Sequence, residues 1–185
     1  MVRRTEMKKI GIPLILIVLS FILALANGCV KGVSPEEIKS WMEIVDVNTN
    51  WVSKYYQPWP PRLILVPSIS FRVKNISSKP LRYINFNAIF KFKDDYENLG
   101  DNFLAGIRGE AVMPGQLSQV IVMKSNFGVE GKSLDSFKDN PRWRIVFVKL
   151  YAVTRGAQHV LIGEWQVSQK IDFKEPEPVG IKKSE

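Results

Sequence analysis

The chain has 185 residues, 45% of them apolar, with 26 Lys and Arg against 18 Asp and Glu for a formal net charge of +8 at pH 7. That length makes one domain the default and is enough to bury an independent core. A single cysteine and a single histidine exclude a disulfide framework and leave the usual zinc sites without partners.

The first element is an address. Arg3, Arg4, Lys8 and Lys9 precede an apolar run from Ile10 to Ala26 that only Gly11, Pro13 and Ser20 interrupt. This is the charged n-region and apolar h-region of an export signal. Gly28 and Cys29 follow at once, small residues where a signal peptidase needs an extended, uncrowded substrate. Leu25-Ala26-Asn27-Gly28-Cys29 resembles the bacterial lipobox, in which a small residue precedes a lipidated cysteine. The resemblance implies that residues 1–28 are a lipoprotein signal peptide cleaved between Gly28 and Cys29. It further implies that Cys29 carries a diacylglyceryl thioether and an acylated amine. Each buried methylene contributes about 0.8 kcal/mol, so such a terminus holds a protein on a membrane almost permanently. The expected location is the bacterial cell envelope, lipid-anchored and facing periplasm or exterior. The alternative is an uncleaved helix, since the 17 residues from Ile10 to Ala26 reach the lower edge of a spanning length. It leaves the same domain outside.

Residues 1–28 hold four of the basic and one of the acidic side chains, so the mature charge falls to +5. No cysteine follows Cys29, and stability must come from packing; of five Trp, five Tyr and ten Phe, only Phe21 lies in the signal. Residues 29–40 read as the lipidated N-terminus and a tether, with a helical turn or a strand starting near Ile38. Residues 41–172 read as the folded domain, and 173–185, with two prolines and a charged end, as a disordered tail.

Within the domain, Trp51, Tyr55, Tyr56 and Trp59 gather among Pro58, Pro60 and Pro61, with Arg62 behind them. This stiff amphipathic segment either covers an open edge of the fold or offers a surface that stacks on a sugar or peptide. Next, Ile69, Phe71 and Val73 alternate with Ser68, Ser70, Arg72 and Lys74, and Ile84, Phe86, Ala88, Phe90 and Phe92 with Tyr83, Asn85, Asn87 and Lys91. Both are strands with one buried face. Further strands are expected near Phe103–Val112 and at Leu117–Met123, the latter entered through a Pro114-Gly115 turn. In Ser125–Pro141, Leu134 and Phe137 behind Ser133 read as one helical turn that closes the end of the fold. Trp143–Val153, apolar on both faces, reads as a central strand covered on each side. Val160–Ile171 pairs with it across Arg155-Gly156-Ala157-Gln158. Breakers at this spacing predict an all-β fold, an antiparallel sandwich of about seven strands behind the N-terminal signal helix.

The Asn75-Ile76-Ser77-Ser78-Lys79-Pro80-Leu81 turn, the alternating strand after it, Phe92-Lys93-Asp94-Asp95, Leu99-Gly100 and Met113-Pro114-Gly115 form a series over about residues 65–170. It resembles the immunoglobulin-like domains of bacterial envelope lipoproteins of the FxLYD type. The resemblance implies an immunoglobulin-like β-sandwich and a binding or scaffolding role without catalysis.

Other chemistry is sparse. His159 lies beside the expected hairpin, and Asp94, Asp95, Glu97 and Asp101 share a loop whose spacing does not match the 12-residue calcium loop. Arg72, Lys74, Lys79, Arg82, Lys91 and Lys93 are expected on or beside the polar faces of neighbouring strands, a basic stripe that either meets anionic head groups or an acidic partner or simply keeps the domain soluble. No metal or cofactor is expected, and nucleic acid is an unsuitable target for an exported chain. The functional expectation is a membrane-anchored, non-catalytic module that binds or scaffolds another envelope component. The alternative is an accessory carbohydrate- or peptidoglycan-binding domain built on the aromatic segment. Candidate residues are Gly28 and Cys29 for processing and Trp51, Tyr55, Tyr56, Trp59 and Arg62 for binding.

Overall fold

The computed structural model describes residues 33–154 and 158–176. Helix α1 (Pro35–Trp41) leads into β1 (Met42–Gln57), β2 (Arg62–Asn75), β3 (Ile84–Phe92), β4 (Asn98–Ile107), β5 (Ile121–Lys124) and β6 (Val129–Gly131). A 3-10 turn (Leu134–Phe137), β7 (Val146–Val153), β8 (Val160–Gln166) and β9 (Ile171–Asp172) complete the domain. The first sheet runs β5-β2-β1-β9 with β6 also on β2, and the second runs β4-β3-β7-β8. The chain changes sheet after β2, β4, β6 and β8, which gives a two-sheet β-sandwich. Every strand pair is antiparallel except β9 along β1.

Period-two patterning builds the core as the sequence predicts. Ile69, Phe71 and Val73 of β2 face Ile84, Phe86, Ala88 and Phe90 of β3, all buried, and the Phe71 and Phe86 rings meet edge-on with centroids 5.2 Å apart. Each such side chain contributes roughly 1.5–3 kcal/mol on burial. Val146, Val148, Leu150 and Ala152 of β7 complete the second inner face. One flank of the sandwich closes where Asn102 Nδ2 donates to the Lys124 carbonyl (2.7 Å) and Asn126 Nδ2 to Asp101 Oδ1 (2.8 Å). On the other flank, Thr49 Oγ1 donates to the Gln166 carbonyl and accepts from the Ser168 amide.

Several expectations need correction. Among the described residues there are nine strands where about seven are expected; 42–57 is one 16-residue strand, and the expected run 160–171 divides when the chain leaves the second sheet and crosses to β1. Residues 33–40 are not a tether: Ser34 caps α1 by accepting from the Glu37 amide (3.1 Å), and Ile38 is fully buried. The described start of the tail is docked too, with the Phe173 ring 5.4 Å from Tyr56. β4 begins and ends about five residues earlier than the strand expected near Phe103–Val112, and only Ile121–Lys124 of the next is strand. β7 is central, yet Phe147, Tyr151 and Val153 on its outer face are half-buried, without a third layer among the described residues. Apolar residues on both faces of a strand therefore marked an open face here. The expected closing turn is present at Leu134–Phe137. The Ser136 hydroxyl donates to the Ser133 carbonyl and accepts from the Ser133 and Lys132 amides. The signal segment, residues 155–157 of the expected hairpin and residues 177–185 lie outside the described residues.

The asparagine turn between the sheets is a knot of hydrogen bonds. Asn75 is fully buried; its amide nitrogen donates to the Lys79 and Val112 carbonyls, both at 2.8 Å, and its side-chain oxygen accepts from the Ser77 amide (2.9 Å) and hydroxyl (2.8 Å). Its own carbonyl accepts from Gly115, which lies in the Met113–Gln116 turn at φ +77°, a conformation that glycine adopts without strain. Removing the side chain deletes four hydrogen bonds at a buried position, while the Val112 carbonyl keeps its bond from the Leu81 amide and the Lys79 carbonyl its bond from the Ser77 hydroxyl, so Asn75→Ala is expected to lower unfolding stability by about 2–4 kcal/mol in urea denaturation. Ser77→Ala, which leaves both carbonyls paired, should cost less than half as much.

Candidate functional site

The β1–β2 hairpin carries all five residues expected to bind, and the pleat divides them. Trp51 faces inward, 1% exposed, with its ring centroid 4.3 Å from that of Trp143, which in turn packs on Phe137 at 5.2 Å. It is core and belongs to no surface. Ser53 pairs with Leu65 but Tyr55 with Ile64, so Lys54 is bulged out of register. An extra residue exchanges the two faces of a strand. Tyr55 consequently points outward, and Tyr56 inward against Phe173. Trp51, Tyr55 and Trp59 therefore do not form one platform.

What remains outside is a shallow depression of about 390 Å³ on the outer face of the first sheet, lined by Lys54, Tyr55, Arg62, Ile64, Phe127 and Glu130. The Tyr55 hydroxyl donates to Gln57 Oε1, and the Gln57 amide donates to the Trp59 carbonyl at 2.9 Å. This chain holds the turn that carries the Trp59 side chain, 85% exposed, at the hairpin tip. The Arg62 guanidinium lies 5.7 Å from the Tyr55 ring centroid and grips Glu130 through two bonds, at 2.9 and 3.0 Å. The Lys54 ammonium donates to the Asn126 carbonyl and stands 5.9 Å from the exposed Phe127 ring. Each cation stands over one face of its neighbouring ring, which places positive charge beside aromatic surface, an arrangement suited to a flat or acidic ligand.

Gly128 makes the depression. A Cβ there would stand 1.9 Å from the Leu65 carbonyl oxygen, so only glycine lets the 126–131 segment lie flush on β2 and bring Phe127 beside Lys54. Lys54, Phe127 and Glu130 were missed from sequence because they meet Tyr55 and Arg62 only through the bulge and the β2–β6 pairing. Phe127-Gly128, an aromatic beside a glycine in a stretch without strand alternation, was the one available signal.

The hydrogen bond from Arg62 holds the Glu130 carboxyl below its usual range, and the same bond raises the already high pKa of Arg62. Both side chains are about half exposed, so the pair positions the guanidinium more than it stabilises the fold.

The remaining candidates separate. Arg72 and Lys74 lie on β2 of the first sheet and Lys91 on β3 of the second, with Lys79 and Arg82 in the turn between them, so the expected basic stripe does not exist. In the acidic loop, Asp95 accepts from Arg144 (3.1 Å) and Asp101 from Asn126. Among the described residues no group of three or more His, Cys, Asp or Glu is placed to hold a metal ion. His159 is exposed, its ring 6.4 Å from that of Tyr151. Gly28 and Cys29 lie outside the described residues, and no described helix is long and apolar enough to cross a membrane.

No family model and no curated protein matches the chain. Among solved structures it is similar to the putative ApaA protein from Bordetella pertussis, at 14% identity over 69% of this chain and 93% of that one, with a TM-score of 0.37. It is also similar to the Northeast Structural Genomics Consortium target SoR45, at 10% identity over 76% of this chain and 98% of that one, with a TM-score of 0.41. Neither carries an activity over to this chain.

Two outcomes follow from the geometry. Gly128→Ala forces the segment off β2 and should cost about 2 kcal/mol or more in denaturation while shifting the Phe127 ring resonances. The Glu130 pKa is lowered on folding, so the stabilisation from its pair is complete above the unfolded carboxyl's pKa and disappears as pH falls through the lower folded value. Titrating the Arg62 Nε–H resonance by NMR should show the contact intact at neutral pH and released only in acid.

Proposed function

We propose that the protein is a lipid-anchored bacterial envelope lipoprotein whose sandwich binds or scaffolds another envelope component, without catalysis, through the Tyr55, Trp59, Arg62 and Phe127 surface. The observation that carries this reading is the opposition of two ends. The described chain begins with Val33 and α1 beside Met42, at the start of β1, whereas the exposed aromatics and cations gather at its far end, around Gln57. At about 3.3 Å per residue, a strand of this length separates the two by roughly 50 Å. A tether that enters at Val33 joins the domain at the end away from that surface. Aromatic and arginine side chains are the residue types that dominate binding energy at protein interfaces, and Lys54 and Arg62 favour an acidic partner.

A second reading, an accessory domain for glycan or peptidoglycan, is favoured by the exposure of the Trp59 ring at the hairpin tip, since a free indole face stacks on a sugar.

Metabolic labelling with palmitate tests the anchor: label should enter the wild-type chain and be lost in Cys29→Ser, and label retained by that variant refutes lipidation. Pull-down from detergent-solubilised envelope tests the surface. Trp59→Ala and Arg62→Ala should each reduce recovery of a protein partner by tenfold or more, about 1.4 kcal/mol. Retention of the wild-type protein on insoluble peptidoglycan, lost in Trp59→Ala and without a protein partner, establishes the second reading instead.

A further inference from the structure

The end of the sandwich opposite the hairpin tip has its own surface. Around the buried Asn75 knot, three apolar side chains project from turns: Ile76 (51% exposed), Tyr83 (64%) and Met113 (46%). The knot holds them together, because Asn75 bonds the Val112 carbonyl, Leu81 and Val112 exchange backbone hydrogen bonds at 2.9 and 3.1 Å, and the Ile76 amide donates to the Trp41 carbonyl at 3.0 Å. Beside them, between α1 and the 77–84 turn, opens a half-enclosed groove of about 570 Å³. Lys79, Arg82, Ser77 and Ser78 line one wall, and Glu37 and Ser40 of α1 the other.

The chain reaches this end directly. Val33 packs against the core, and three residues lie between it and Cys29, so that four Cα–Cα steps join the two. At no more than about 3.6 Å per residue, they span about 14 Å at full stretch. An acylated Cys29 lies at the bilayer surface, so that reach keeps Val33, where the chain enters this end, within about 14 Å of it. Turn-borne apolar side chains, a phenol at the interfacial depth and two cations beside hydroxyl groups match the chemistry of a phospholipid head-group layer.

We infer that this end, through Ile76, Tyr83, Met113, Lys79 and Arg82, docks on the head-group layer of the bilayer that holds the anchor, fixing the domain upright instead of leaving it to swing on its tether. The inference rests on the lipid-anchor reading above. Docking requires the apolar tips to enter the interface while Lys79 and Arg82 meet phosphate, and it directs the Trp59 tip away from the membrane.

The test uses the full mature protein purified with its native terminus, whose intact mass is measured first. It is then reconstituted in vesicles of phosphatidylethanolamine and phosphatidylglycerol. An environment-sensitive fluorophore is placed at Tyr83→Cys, Met113→Cys or, as the distal control, Trp59→Cys, each with an unchanged unfolding midpoint. Labels at 83 and 113 should shift to the blue and be quenched by spin-labelled lipid several-fold more than the label at 59. Combining Lys79→Glu with Arg82→Glu should abolish the difference. Equal quenching at all three positions in an acylated protein overturns the docking and leaves the anchor standing. A mass without acyl chains overturns the anchor, and the docking with it.

Discussion

A buried primary amide has two donors and an acceptor oxygen with two lone pairs, and at Asn75 all four capacities are used within the protein. Much depends on that satisfaction. The turn it shapes carries the chain from the first sheet to the second, and its carbonyl anchors the Gly115 turn that sets the approach to β5. The next residue, Ile76, ties in the end of α1. A sandwich without an internal disulfide must fix the relative position of its layers by packing and by polar contacts that cross between them. Asn75 supplies such a contact where two turns and a helix converge, and its burial makes any looser arrangement costly.

At the other end the controlling device is a single extra residue. The bulge at Lys54 turns Tyr55 out and Tyr56 in, so the candidate surface exists because β1 is irregular. A second irregularity, between Val45 and Asn48, places Asp46 at φ 53°, a conformation that aspartate tolerates better than most residues. Between these two slips, from Asn48 to Ser53, β1 keeps one set of alternating residues on the core and the other outward. The strand is the backbone that joins the Asn75 end of the domain to the Trp59 tip.

The sequence made the layers legible. Period-two runs at 69–73 and 84–92 and the breakers between them identified strands and their buried faces, because a half-buried pleat leaves that pattern in composition alone. The Pro114-Gly115 turn and the closing turn at Leu134–Phe137 were legible for the same local reason. The length of β1 was not, since bulges at 46–47 and 54 interrupt its alternation and the aromatic cluster drew attention from it. Trp51, Tyr55 and Tyr56 looked like one surface because neighbours in sequence were read without their pleat. Glu130 and Phe127 were invisible because their relation to Arg62 and Tyr55 is a contact between strands, which no local window contains. Likewise the six basic residues looked like one stripe until the crossover after β2 assigned them to different sheets.

The pairing of β9 with β1 has a consequence for how the domain comes into being. Trp51 lies beside Ile171, and the Trp51 amide bonds the Lys170 carbonyl at 2.8 Å, so the first sheet is finished by residues about 120 positions downstream. Nearly the whole chain must therefore be synthesised before its first strand has both neighbours. Loop closure over that distance is entropically slow, so Trp51 and Val52 wait for their β9 partners through most of assembly, a period in which a holding factor has something to protect.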